Sequence, residues 1–282
     1  MVLRGRIAAR LSGLCLLGLF AVGGLRPAEA SVFDSLPDIL TSHQMPRAPG
    51  DVGQEKPRQV LLNGFPMNVA TGRTSQRVKE VLDYYQDRYP GGVLKDMVGK
   101  PVAVRREGDE TGTMMIVDVA EKARAMEVME GKRNLASAGP LRLVYARRSG
   151  LYTDYLLAWT DKAMPPGVLQ PVASGDAPGE DLPQVPRPQG GLRAFSFSEP
   201  KAGYRLAMYK LAQTPDEALR QAGESLRQAG WAPDETFEKS ARKRGRRVAR
   251  FSREGRDVVV TARASKEDAR VTQLSYLARD LT

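Results

Sequence analysis

The sequence predicts an α+β fold of two related modules, each an antiparallel sheet with one main helix packed on one face, joined by a Pro/Gly-rich linker. The first observation behind this is that one order of elements occurs twice: two strands, a helix, then three or more strands. The second is that residues 164–191, between the two copies, contain seven prolines and five glycines, which disfavours packed secondary structure. Because each helix buries one side of its sheet, we expect the other side to be solvated or covered by the other module.

The first thirty residues, 1–30, have the pattern of a secretory signal peptide. Three arginines precede a mostly apolar run from Leu11 to Leu25, and Ala28-Glu29-Ala30 has the small-x-small pattern of a cleavage site. No later stretch approaches the roughly 18 to 20 apolar residues that a transmembrane helix needs. We therefore expect cleavage near Ala30 and a periplasmic or secreted mature protein with no transmembrane span.

We expect a flexible N-terminal segment at residues 31–57, because this stretch is rich in proline and glycine and poor in apolar residues. Module 1 is expected to follow at residues 58–163. Module 1 begins with two strands near residues 59–62 and 67–71, and a helix follows at Val78, with Thr74 and Ser75 at the position of its cap. Two hairpins, at 102–119 and 141–159, complete the module. Between them, Ala123, Met126 and Met129 predict one face of a short amphipathic helix.

Module 2 is expected to span residues 192–282. Strands at 192–197 and 204–211 lead to a helix whose start is marked by Thr214 as cap, Pro215 at the first helical position and Glu217 as the capping-box partner. Gly230 predicts the end of this helix, with Trp231 folding back onto it. Three further strands are predicted at 247–252, 257–263 and 271–278.

The scarcity of cysteine and histidine restricts the chemistry of the mature chain. The single cysteine, Cys15, lies in the signal peptide, and His43 is the single histidine. The mature chain therefore has no thiol nucleophile and no disulfide, and it cannot assemble a histidine-dependent triad or a multi-histidine zinc site. We expect no catalytic residue, no cofactor and no metal.

The strongest local feature is a basic run from Lys239 to Arg256, in a chain of formal net charge +10. Nine basic residues stand there against one acid, Glu254, and arginine binds phosphate or carboxylate groups in a bidentate manner. The spacing allows Arg250 and Arg256 to share one face of a hairpin, and the alternative is a solvated loop leading into that hairpin. The predicted anion-binding residues are Arg242, Lys243, Arg244, Arg246, Arg247 and Arg250.

These observations predict an exported, non-catalytic binding or adaptor protein of the bacterial cell envelope. Its expected partner is an anionic envelope polymer, a membrane surface or another envelope protein. Nucleic acid is disfavoured, because Phe251 is the one aromatic residue in the basic run and stacking platforms need several. Two alternatives stay open: a subunit of a secretion or appendage assembly that pairs through sheet edges, and a hydrolase with a site between the modules. The sequence does not give the oligomeric state.

Overall fold

The protein is described by a computed structural model that covers residues 44–53, 55–89, 101–119, 122–130, 132–133, 135–165, 167–169, 175–243, 247–265, 268 and 270–280. The strands are β1 (Arg58–Leu62), β2 (Phe65–Thr74), β3 (Pro101–Glu107), β4 (Thr111–Asp118), β5 (Leu141–Ser149), β6 (Tyr152–Trp159), β7 (Leu192–Glu199), β8 (Tyr204–Leu211), β9 (Ala232–Pro233), β10 (Val248–Arg253), β11 (Arg256–Ala264) and β12 (Thr272–Asp280). The helices are α1 (Val78–Arg88), α2 (Lys122–Met129), α3 (Pro215–Gln228) and α4 (Glu235–Lys243), with 3₁₀ turns at Leu135–Ser137 and Pro200–Ala202.

The described strands form one antiparallel sheet of twelve strands, in the order β3-β4-β5-β6-β2-β1-β7-β8-β12-β11-β10-β9. Strands and helices together confirm the predicted α+β class. Strands β1 and β7 are neighbours at the centre, so residues 58–163, the first half, form one side of the sheet. Residues 192–280, the second half, form the other side. The two halves therefore meet by direct strand pairing, with Leu61 opposite Ser198 and Leu62 opposite Phe197.

The strand order of the second half repeats that of the first. Read from the centre outwards, the first half runs β1-β2-β6-β5-β4-β3 and the second runs β7-β8-β12-β11-β10-β9. In each half a long helix follows the second strand. A buried threonine hydroxyl also recurs, because Thr153 donates to the main-chain oxygen of Gln76 and Thr272 donates to that of Gln213, both at 2.6 Å. The two halves thus match in topology and in a specific buried contact.

Helices α1 and α3 lie on the same face of the sheet, which we call the front face. Residues opposite each other on paired strands point to the same side, and Leu62 and Phe197 both pack into one core cluster that includes neither long helix. That cluster lies on the other side, the back face. Two further clusters, one for each half, bury the apolar sides of α1 and α3 against the front face.

The ends of α3 confirm the sequence signals that predicted them. Thr214 is the N-cap and forms the capping box with Glu217, and Pro215 occupies the first turn. At the other end Gly230 has a φ of +85°, and the amide of Trp231 donates to the carbonyl of Leu226 at 3.0 Å. The local sequence is therefore sufficient to define this helix.

The predicted cap of α1 and the predicted face of α2 were wrong. Arg77 is the N-cap of α1, because Thr74 is instead the fully buried last residue of β2 and donates its hydroxyl to the carbonyl of Pro49 at 2.9 Å. In α2, Met126 and Met129 are 44% and 48% exposed. Ala125 and Val128 pack into the back-face core instead, because the sheet lies beneath that side of the helix.

Parts of both Pro-rich segments pack against the sheet. In the segment expected to be flexible, Met45 and Ala48 are buried with α1, and the hydroxyl of Tyr85 donates to Pro46 at 2.8 Å. These apolar contacts anchor residues 44–53 to the first half.

In the expected linker, Arg187 forms two hydrogen bonds to the carboxylate of Asp176, at 2.5 and 2.6 Å. This guanidinium lowers the pKa of Asp176 to about 2. Arg193 binds Asp181 at 2.6 Å, and Leu182 is buried against the α3 cluster. Residues 175–191 therefore form a strap on the second half.

Candidate functional site

The predicted anion-binding residues lie where α4 ends and β10 begins. Arg244 and Arg246 lie outside the described residues, as does the side chain of Arg242. Lys243 is the last residue of α4 and is exposed, and Arg247 is exposed directly before β10. Of the predicted anion-binding residues, the structure therefore shows two exposed cations four residues apart, Lys243 and Arg247.

Arg247 is held by a surface ion pair. Its Nε donates to Asp216 at the start of α3 at 2.8 Å, and this hydrogen bond lowers the pKa of Asp216. The two side chains are 51% and 73% exposed. Because exposed pairs of this kind contribute little stability, Arg247 can exchange Asp216 for another anion.

Arg250 and Arg256 do not share a face, so that prediction was wrong. Arg250 lies opposite Val259 on the back face and binds the buried carboxylate of Asp257. Arg256 lies opposite Arg253, on the front side. The reason is the two-residue turn, which sets Arg253 and Arg256 opposite each other and leaves Arg250 at the alternate position of its strand.

A second set of cations lies on the back face of the second half, at the end of the sheet where Arg247 is found. Lys210 on β8, Gln273 on β12 and Arg263 on β11 are direct neighbours in register. The amide of Ala262 donates to the carbonyl of Arg247 at 3.1 Å, so Arg247 lies at the same end of the sheet, with its side chain on the front side near α3. We call Lys210, Lys243, Arg247 and Arg263 the basic end.

The corresponding row of the first half contains an acid between its two cations, which lowers its net charge to +1. There Arg73 on β2 and Arg147 on β5 flank Asp154 on β6, and Arg73 binds Asp154 at 2.5 Å. In the second half Gln273 stands in the place of Asp154. Within the described chain neither Lys210 nor Arg263 has an ion-pair partner, so this row keeps its positive charge.

Sequence reasoning missed Lys210 and Arg263 because they are far apart along the chain and each stands outside the basic run. Their proximity is a product of strand register, which places them about 10 Å apart on either side of β12. The sequence did contain a usable signal, because side chains alternate between the two faces along each predicted strand. Cations at outward positions of two nearby strands predict that the two side chains lie in one row across the sheet.

Three large aromatic residues of the first half are core residues. Tyr85, Tyr155 and Trp159 are at most 4% exposed and pack in the cluster beneath α1. Burial raises the pKa of Tyr85 far above its ordinary value. These rings are therefore packed within the protein and do not present a stacking surface.

Comparison with known proteins provides no functional assignment. No family model, no curated protein and no solved structure matches the chain. In the described ranges, none of the helices has the length and hydropathy that crossing a bilayer requires.

Proposed function

We propose that this chain is an exported, non-catalytic binding or adaptor protein of a bacterial cell envelope and that its basic end contacts anionic groups. The observation that supports this most strongly is the row Lys210, Gln273, Arg263, because it has two cations and no acid, whereas its counterpart in the first half has Asp154 between two arginines. Two cations about 10 Å apart, without an intervening acid, attract successive charges of an extended anion.

The predicted run adds cations at the same end of the sheet. Lys243 and Arg247 are exposed there, Arg247 on the front side, whereas Arg250 is engaged by Asp257. The proposal therefore assigns the main contacts to Lys210, Arg263, Arg247 and Lys243, with Arg242, Arg244 and Arg246 as neighbours in sequence. Export rests on residues 1–30, which lie outside the described residues, and a native protein whose mass corresponds to a start at Ser31 would support it.

Removing the two row cations is expected to weaken binding to a polyanion. For the variant Lys210→Gln/Arg263→Gln, we expect affinity for heparin to fall about tenfold and to depend less steeply on salt, because two charge-assisted contacts are lost. Titration by fluorescence anisotropy at several salt concentrations measures both effects.

The matched control is Arg73→Gln/Arg147→Gln, which removes the equivalent pair from the first half. Its affinity should stay within about twofold of the parent protein, because Asp154 binds Arg73 and leaves that row only one net positive charge. Equal losses in the two variants would show that net charge alone attracts the polymer, and no loss in either would refute the basic end as a binding site.

We also propose that the two halves are related modules, as the sequence predicts. The repeated strand order and the equivalent contacts of Thr153 and Thr272 support this. Direct pairing at the joint disfavours a hydrolase site there, since Asn63 and Ser196 are buried and bonded to each other. An unfolding experiment on a variant damaged in one half alone tests modularity.

A further inference from the structure

The back face of the first half is covered by the chain itself. Val69, Ala158 and Leu143 are neighbours in register across β2, β6 and β5, and Ala158 is 1% exposed. The cover comes from the described part of the connection between β4 and β5, which contains α2 and contributes Ala125 and Val128 to this core. The apolar back of this half therefore has a helical lid.

In the described residues of the second half, the equivalent row of the sheet has no such lid. Leu206, Leu277 and Val259 are neighbours across β8, β12 and β11 in the same register. Here the connection between β10 and β11 is the two residues Glu254 and Gly255. Leu277 is 38% exposed, where Ala158 at the matching position is buried.

The uncovered area forms an apolar strip over three strands. Around Leu277, the half-buried neighbours on the same side are Val259 and Thr261 on β11 and Val248 on β10, with Arg250 and Ser275 beside them. We call Leu277, Val259, Thr261 and Val248 the open strip. Exposed apolar surface that is continuous across neighbouring strands is typical of contact sites.

The charges that border the open strip are positive. Lys210 and Arg263 lie at one end, and Arg279, which is exposed, lies beyond Leu277 at the other. Two acids lie near this side, and Arg250 pairs with both: Asp257, which is buried, and Asp234, at 3.8 Å. An occupant of complementary charge must therefore combine apolar side chains with carboxylates.

We propose that the open strip docks an amphipathic, acidic segment of a partner protein, in the place that α2 and its flanks occupy on the first half. This inference deepens the proposed binding function by naming the partner's chemistry, and it rests on that function. The apolar side of the segment covers Leu277 and Val259, and its carboxylates reach Lys210 and Arg263. The binding mode is a helix laid on an apolar surface and anchored by side chains three and four residues apart.

The experiment is a selection of random sixteen-residue peptides displayed on phage against the immobilised mature protein. We expect enriched peptides to carry apolar residues at helical spacing together with Asp or Glu. Synthesised and labelled, they should bind the Leu277→Asp variant at least tenfold more weakly, because a carboxylate at the centre of the strip repels them and removes apolar contact. Anisotropy titration measures the affinities, and circular dichroism checks that each variant is folded.

The matched control is Leu151→Asp, the same change at an apolar residue that is 81% exposed in the turn between β5 and β6. It should leave peptide affinity within twofold. A selection that enriches no peptide, enriches basic ones, or enriches peptides that bind Leu277→Asp unchanged would overturn the proposal. So would a dimer that Leu277→Asp dissociates, because the occupant would then be a second copy of the chain.

The two binding experiments distinguish failure of the open strip as a docking site from failure of the basic end as an anion-binding site. Heparin binding that needs Lys210 and Arg263, together with peptide binding insensitive to Leu277→Asp, would retain the basic end and refute the open strip. Peptide binding that is lost in Leu277→Asp but unaffected by Lys210→Gln/Arg263→Gln would refute the assigned acidic chemistry.

Discussion

Replacement of Asn63 by alanine is expected to destabilise the protein by about 3 to 5 kcal/mol. Asn63 is 5% exposed at the joint of the two halves, where its side chain accepts from the amide of Ser196 at 2.6 Å and donates to the carbonyl of Val168 at 2.7 Å. At this φ of +47° alanine is strained by about 1 to 2 kcal/mol, whereas asparagine adopts the left-handed conformation more readily. Each buried group left unbonded costs about 1 to 3 kcal/mol more.

Denaturant unfolding of Asn63→Ala measures this effect, and Asn63→Gly is the matched control. Glycine keeps the left-handed turn and loses the hydrogen bonds, so it should be about 1 kcal/mol more stable than the alanine variant. If Asn63→Ala unfolded like the parent protein, the side chain of Asn63 would not be holding the two halves together.

Replacement of Gly139 by alanine is expected to destabilise the first half by about 3 kcal/mol. A Cβ at Gly139 would lie 1.7 Å from the carbonyl oxygen of Asp118, so the main chain must move, and overpacking of this kind costs several kcal/mol at its upper end. The movement also disturbs the 3.1 Å hydrogen bond from the amide of Asp118 to Pro140. Because Gly139 belongs to the lid of the first half, the damage should begin there.

Differential scanning calorimetry of Gly139→Ala measures the loss, with Gly108→Ala as control. A Cβ at Gly108 meets its nearest atom at 3.6 Å, so its unfolding free energy should change by less than about 0.5 kcal/mol. If the halves are modules, the variant should show two transitions, with the second half retaining the stability of the parent. One transition shifted as a whole would indicate a single cooperative unit, and an unchanged profile would contradict the tight packing at Gly139.

Local signals in the sequence predicted local structure well. Thr214, Pro215 and Glu217 define the start of α3 by hydrogen bonds within four residues, and Gly230 defines its end, so no tertiary information is needed. The face of α2 was not predictable in this way, because its helix has apolar residues on more than one side. The position of the sheet decides that Ala125 is buried and Met126 exposed.

The residues of the candidate site that were not predicted are brought together by strand register between distant parts of the chain. The charge of Arg247 was visible in the basic run, but its partner Asp216 lies 31 residues earlier in the chain. The row of Lys210 and Arg263 depends on both strands pairing with β12, which short-range patterns do not specify. The central pairing of β1 and β7 likewise joins segments on either side of the Pro-rich stretch.

The unequal cover of the two back faces is tested most directly by thiol labelling, because the mature chain is expected to contain no cysteine. Leu277→Cys and Ala158→Cys place one thiol each at matching positions of β12 and β6. We expect the Leu277→Cys variant to react with a maleimide at a rate close to that of the unfolded chain, and the Ala158→Cys variant to react at least a hundredfold more slowly, since its thiol needs local opening. Equal protection of the two thiols in the isolated protein would contradict an open strip on the second half.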